Sequence, residues 1–251
     1  MGIITTNHKG IEYTHELITH SWPLERNKSE LPVKKLNAVF LETGSADLEQ
    51  LETRLNKGEF FKNHPLWHNV IERAEKHGAE IWLGDVKPNT SEKISYVLLN
   101  LGAPFIPYAA GSAVGRKIGR RKALTLMGAA IGLGLVSASQ LSSLLISTRG
   151  NKNDAKVARK IVSVHSQIDP IAYPRDFIMA QKLKALAKIT GHKRIGILTG
   201  NAHINITRLL PTELKSEARE KIVTRGPDAL KMYRCVYNRQ EKRWKVEEHS
   251  L

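Results

Sequence analysis

Ile195-Gly196-Ile197-Leu198-Thr199-Gly200-Asn201-Ala202-His203-Ile204 is the stretch that decides the fold. A short apolar run stops at a glycine, and a histidine follows three residues later. A buried strand delivers a polar side chain to the end of a sheet in this way, and ligands of α/β folds gather at such carboxyl ends. Two upstream runs end alike. Leu36 to Leu41 reads as a short buried strand that stops at Glu42-Thr43-Gly44, and Ala79 to Asp85 reads as another that ends in Gly84-Asp85.

Helical patterns separate these strands. Ser45 caps a helix carrying Leu48 and Leu51, and a second helix runs near Leu66 to Lys76 and stops at His77-Gly78. A third spans Phe177 to Ile189, with Met179, Leu183 and Leu186 on one face. Repeated alternation of helix and strand predicts an α/β-like or α+β fold with a mixed central sheet.

The chain has 251 residues, 41% of them hydrophobic, enough for a sizeable core. Its formal net charge of +15 favours polyanionic partners. One tight basic cluster occurs, Arg116-Lys117-Ile118-Gly119-Arg120-Arg121-Lys122. No zinc-finger spacing, RNP-like aromatic motif or basic zipper accompanies it, so nucleic acid is not the expected partner. The single cysteine, Cys235, excludes an internal disulfide and a cysteine-rich metal site. Met1 to Gly10 carries no secretory pattern, so a cytoplasmic or membrane-associated protein is expected.

Three regions stand out: 1–95, mixed and charged; 96–148, almost free of acids; and 149–251, charged again. Tyr96 to Gly115 gives 20 residues without a charge and Ala123 to Ser147 gives 25. Both are long enough to span a bilayer, which takes about 20 mostly apolar residues. Together they would form an apolar helical hairpin around the basic cluster, with Gly128 and Gly132 at the spacing of a close helix contact. A basic loop belongs on the cytoplasmic side, which would put both charged regions outside without an export signal. Three readings of 96–148 stand: a membrane-inserted hairpin, a buried or interfacial helical pair, and a lid over an apolar substrate.

Glu42, Asp85 and His203 lie at strand ends, and His8 follows the β-branched run Ile3-Ile4-Thr5-Thr6. Two histidines and a carboxylate on separate strands suit a divalent metal such as Zn, Mn or Co. Taken singly, each is equally a hydrogen-bonded polar group closing a strand. Arg175, in Ala172-Tyr173-Pro174-Arg175-Asp176, sits at a helix start, where it either clamps a carboxylate or phosphate or forms a surface pair with Asp176. His15, Glu16 and His20 lack the i, i+4 histidine pair of a zincin and read as a solvated helix face. His64 and His68 have that spacing, but Pro65 between them marks a helix start. Nucleophile-elbow, Walker and dinucleotide-binding glycine motifs are absent.

In order, these pieces resemble the TraB/PrgY family, grouped with Tiki and GumN and related to erythromycin esterase and ChaN-like proteins. Thr5-Thr6-Asn7-His8 matches its first GxxH motif, with Thr5 where the family has glycine. Val39-Phe40-Leu41-Glu42 matches the glutamate strand and Leu83-Gly84-Asp85 the aspartate strand. Arg175-Asp176-Phe177-Ile178-Met179 matches the Arg-Asp helix start, and Gly200-Asn201-Ala202-His203 the second GxxH. The resemblance implies two similar halves, 1–95 and 149–251, each bringing one histidine to a shared site. It implies a metal-dependent hydrolase, peptidase-like as in Tiki, with a peptide or small-molecule substrate. Suppression of a peptide pheromone, as in PrgY and TraB, is the non-catalytic alternative, and a membrane-organising role built on 96–148 is another. In the hydrolase reading His8, Glu42 and His203 hold the metal. Arg175 and Asn201 bind substrate, Arg175 also stabilising the oxyanion, and Asp85 and Asp176 orient the other groups.

Overall fold

A computed structural model describes residues 2–18, 29–42, 48–59, 65–85, 163, 172–213 and 227–250. Seven strands form one mixed sheet: β1 (Gly2–His8), β2 (Ile11–Ile18), β3 (Ala38–Leu41), β4 (Glu80–Leu83), β5 (Arg194–Gly200), β6 (Lys231–Asn238) and β7 (Arg243–Ser250). Their spatial order is β1-β2-β5-β3-β4-β6-β7. The four inner strands β2, β5, β3 and β4 are parallel, while β1, β6 and β7 join antiparallel at the two sides. Among the described residues the helices are α1 (Leu48–Asn56), α2 (Pro65–His77), α3 (Ala172–Thr190) and the single turn α4 (Ile206–Leu209).

Strand residues alternate between faces, and both faces of the parallel strands are apolar, as burial on two sides requires. Val39, Leu41, Ile81 and Leu83 share one core with Leu51 and Leu55 of α1 and Leu66, Val70 and Ala74 of α2. Phe40, Trp82, Ile195 and Ile197 point the other way, to Met179, Leu183 and Leu186 of α3. The result is three layers, helices on both sides of a sheet.

The order of the strands creates the crevice where the candidate residues meet. From β3 the chain steps to β4 on one side, and β5 is then placed on β3's other side. The carboxyl ends of β3 and β5 therefore flank a topological switch point, the usual ligand crevice of such sheets. β5 inserts between β2 and β3, so strands of the 1–95 and 149–251 regions interleave.

Three expectations need comment. His15 and Glu16 are not on a solvated helix: they lie fully buried on β2. Glu16 is satisfied there by the Ser29 hydroxyl at 2.5 Å and by the backbone N–H groups of Glu30 and Leu31 at 3.0 and 3.1 Å. The β6–β7 hairpin is an addition to the strands read from the sequence. The Ser45 cap, His20, His64 and the whole 96–148 segment lie outside the described residues. No helix among the described residues is long and apolar enough to cross a membrane.

Packing across the sheet is tight at Gly84, where a Cβ would fall 2.4 Å from the buried Phe40 ring. The ring sits between sheet and α3 and has little room to move. Gly84→Ala is expected to lower unfolding free energy by about 1–3 kcal/mol, the usual cost of overpacking, measurable by urea denaturation.

Candidate active site

Five of the residues singled out from the sequence come together at the carboxyl edge. Glu42 directly follows β3, Asp85 lies just past β4, and His203 ends a 3-10 turn (Asn201–His203) that continues β5. Arg175 and Asp176 occupy the first turn of α3, which crosses above those strand ends. The short apolar strands stop where they do because these polar groups have left the core.

His203 is the centre of the cluster and is 2% exposed. Its Nδ1 bonds to Oδ1 of the fully buried Asp176, and its Nε2 forms an ion pair with Glu42 Oε1 at 2.8 Å. Glu42 is fixed from the other side, its Oε2 accepting the Gly200 backbone N–H at 2.7 Å. Arg175 does not pair with its neighbour Asp176. Its Nη2 bridges Glu42 Oε1 at 2.9 Å and Asp85 Oδ1 at 2.5 Å, and its Nε donates to Asp85 at 3.2 Å. Nη1 of Arg175 makes no hydrogen bond among the described residues and is the donor left for a ligand.

Burial alone would push the His203 imidazolium below its ordinary range. Glu42 and Asp176, one on each ring nitrogen, outweigh that and lift it to about 10. Burial raises the Asp176 carboxyl to about 6, against the pull of His203. At neutral pH the pair is therefore imidazolium and carboxylate. Asp176 Oδ2 is buried and has no hydrogen-bond partner among the described residues.

Two further residues border this cluster: His15, expected on a solvated helix face, and Lys182, which the sequence reading did not single out. His15 reaches it from β2, its Nε2 2.8 Å from the Thr199 hydroxyl. The Thr199 hydroxyl donates to the Gly200 carbonyl at 3.3 Å, so it accepts from His15 Nε2–H and leaves Nδ1 bare. Burial, then the charge of His203, pushes the His15 imidazole down to about 3, which keeps it neutral. Lys182 is fully buried and donates to the Gly84 carbonyl at 3.1 Å, beside Asp85. It follows Arg175 by two helical turns, so the spacing that puts both on one face was readable. His15 was visible but misplaced, because the consecutive polar residues Thr14, His15 and Glu16 look like a surface position.

His8 is not brought to this site. It ends β1, which runs antiparallel to β2, so it sits at the opposite edge of the sheet. Ile11 pairs with His8 and Ile18 with Gly200, seven residues apart on β2. At about 3.3 Å per residue that is roughly 23 Å, ten times a metal–ligand bond. Slight burial and the charges of Lys9 and Lys184 lower the His8 imidazole's pKa. Asn201 opens the 3-10 turn and is buried. Among the described residues no three His, Cys, Asp or Glu side chains converge to cage an ion.

Comparison with protein-family models, with curated proteins and with solved structures finds no match.

The raised His203 pKa carries a sign. A histidine held above its unfolded value of 6.5 stabilises the fold fully below that pH and loses the contribution as pH rises through about 10. His15, held below 6.5, acts oppositely, and stability falls as pH drops toward about 3. Denaturation midpoints across pH are expected to show both limbs, with His203→Gln flattening the alkaline one and His15→Leu the acid one.

Proposed function

We propose that this chain is a hydrolase, peptidase-like, whose reaction centre is His203 with Glu42 at the switch-point crevice. The supporting observation is the Asp176–His203–Glu42 chain, in which a buried carboxylate holds one ring nitrogen and aims the other at a second carboxylate. Asp176 fixes the tautomer and ring plane, and the Gly200 N–H fixes the Glu42 carboxylate. Arg175 Nη1 would take a substrate carboxylate or the developing oxyanion, while Glu42 and Asp85 hold its other nitrogens.

A divalent cation fits this donor set at one point. His203 Nε2 and Glu42 Oε1 face each other, and a carboxylate on the other ring nitrogen is the usual partner of a metal-bound imidazole. Arg175 meets two carboxylates, Glu42 and Asp85, and Asp176 adds a third to the cluster, which leaves formal negative charge whenever His203 gives up its proton. His8 is not part of the set, so the residues that would hold the ion are His203 and Glu42. A bound Zn, Mn or Co would supply a Lewis acid and a water of lowered pKa. The resemblance to the TraB/PrgY family is the ground for taking a peptide as substrate.

Calorimetric titration with Zn, Mn and Co checks the metal directly. His203→Ala is expected to weaken binding more than 100-fold, and Asp176→Asn about 10–100-fold, as for partners of a metal-bound histidine. Cleavage of a peptide library should be lost with chelator and in Glu42→Gln. Equal metal affinity in wild type and His203→Ala would overturn the metal assignment. Tight peptide binding without cleavage would favour the sequestering role.

A further inference from the structure

The edge of the sheet opposite the candidate site carries an excess of basic residues, which outnumber the carboxylates Glu12, Glu80 and Glu241 along it. Lys9 forms the β1–β2 turn, Lys193 and Arg194 open β5, Lys34 and Lys35 precede β3, and Lys242 closes the β6–β7 turn. All six are exposed, and among the described residues none is paired with a carboxylate. Hydrogen bonds stitch this edge together: Asn37 Oδ1 accepts the backbone N–H groups of Lys193 and Arg194 at 3.3 and 3.0 Å. Arg239 Nη2 donates to the Lys76 carbonyl at 2.9 Å. Basic residues in the last turns of α2 and α3 have an ordinary cause, the negative ends of helix dipoles. The six that remain belong to turns and strand starts, where no dipole calls for them. From the β1–β2 turn to the β6–β7 turn is about five inter-strand gaps of about 4.8 Å, so they span roughly 24 Å.

An exposed aliphatic side chain accompanies them. Ile189, 51% exposed, is the one large hydrophobic left open among the described residues, and it lies at the end of α3 just before Lys193.

We propose that this amino edge is a docking surface for an anionic bilayer, with the six basic side chains over the headgroups, Ile189 entering the interface, and the candidate site facing away from the membrane. The combination of a broad basic edge and a lone aliphatic residue is that of proteins lying on a charged membrane. A nucleic acid would use the charge but gives Ile189 no role, since no aromatic stacking platform accompanies it.

Flotation of the full chain with vesicles tests this. Phosphatidylcholine vesicles are compared with vesicles holding about 30% phosphatidylserine, whose surface attracts each nearby Lys or Arg. Apolar stretches would act on both vesicle types, so the ratio between the two reads the charged edge. The expected ratio is at least ten-fold at about 0.1 M salt and falls toward one at about 0.5 M, where screening is short-ranged. Lys35→Glu and Lys193→Glu should each lower the anionic partition about five-fold or more. Arg208→Glu makes the same change in net charge at the exposed carboxyl-edge helix α4 and should leave it unaltered. Equal partition onto both vesicle types, or equal loss in Arg208→Glu, would overturn the proposal. So would binding of a DNA duplex through Lys35 and Lys193 without a lipid preference. Unchanged far-ultraviolet circular dichroism verifies that each variant folds.

Discussion

The carboxyl edge of the sheet depends on one buried imidazolium held between two carboxylates. His203 brings β5, Glu42 brings β3 and Asp176 brings α3, so this single charged chain fixes three elements relative to one another. Putting such groups at the rim of a core is costly. Each buried ion loses several kcal/mol of hydration, and removing one partner of a buried pair typically costs about 3–5 kcal/mol. Well-packed hydrophobic residues would hold the same elements with less cost. Such an arrangement is a costly way to hold three elements together, and its stability depends on every partner being in place.

The surrounding groups follow from that constraint. Glu42 carries a second oxygen, which the Gly200 N–H satisfies, and a residual charge, which Arg175 meets. Arg175 in turn recruits Asp85 from the next strand. Each polar group thus answers the one before it, and the chain of answers ends where Arg175 Nη1 faces outward.

Much of this was legible before the fold was known. Strands that stop at Gly-Asp, at Glu-Thr-Gly and at Gly-Asn-Ala-His announce their own carboxyl ends, and parallel strands place those ends together. What could not be read was direction and neighbourhood. His8 also ends a strand, but the tight Lys9-Gly10 turn reverses the chain and sends it to the far edge. Period and composition do not distinguish an antiparallel edge strand from a parallel inner one. His15 and Glu16 looked polar and therefore exposed; burial came from long-range partners, Thr199 and the 29–31 segment, that no local pattern contains. The β6–β7 hairpin was hidden because alternating charged and aromatic residues resemble a surface loop.

The interleaving of the sheet has a consequence for how the chain acquires this site. β2 and β3 are separated by β5, whose residues lie more than 150 positions further along. During synthesis the first region leaves the ribosome with two strands that have no partner between them. Neither Glu42 nor His15 can take its final place until residues 194–203 arrive. The candidate site is thus completed late, once β5 has joined the sheet. A truncated product lacking the last third would keep Glu42 and Asp85 but lose Arg175, Asp176 and His203, which balance and orient them.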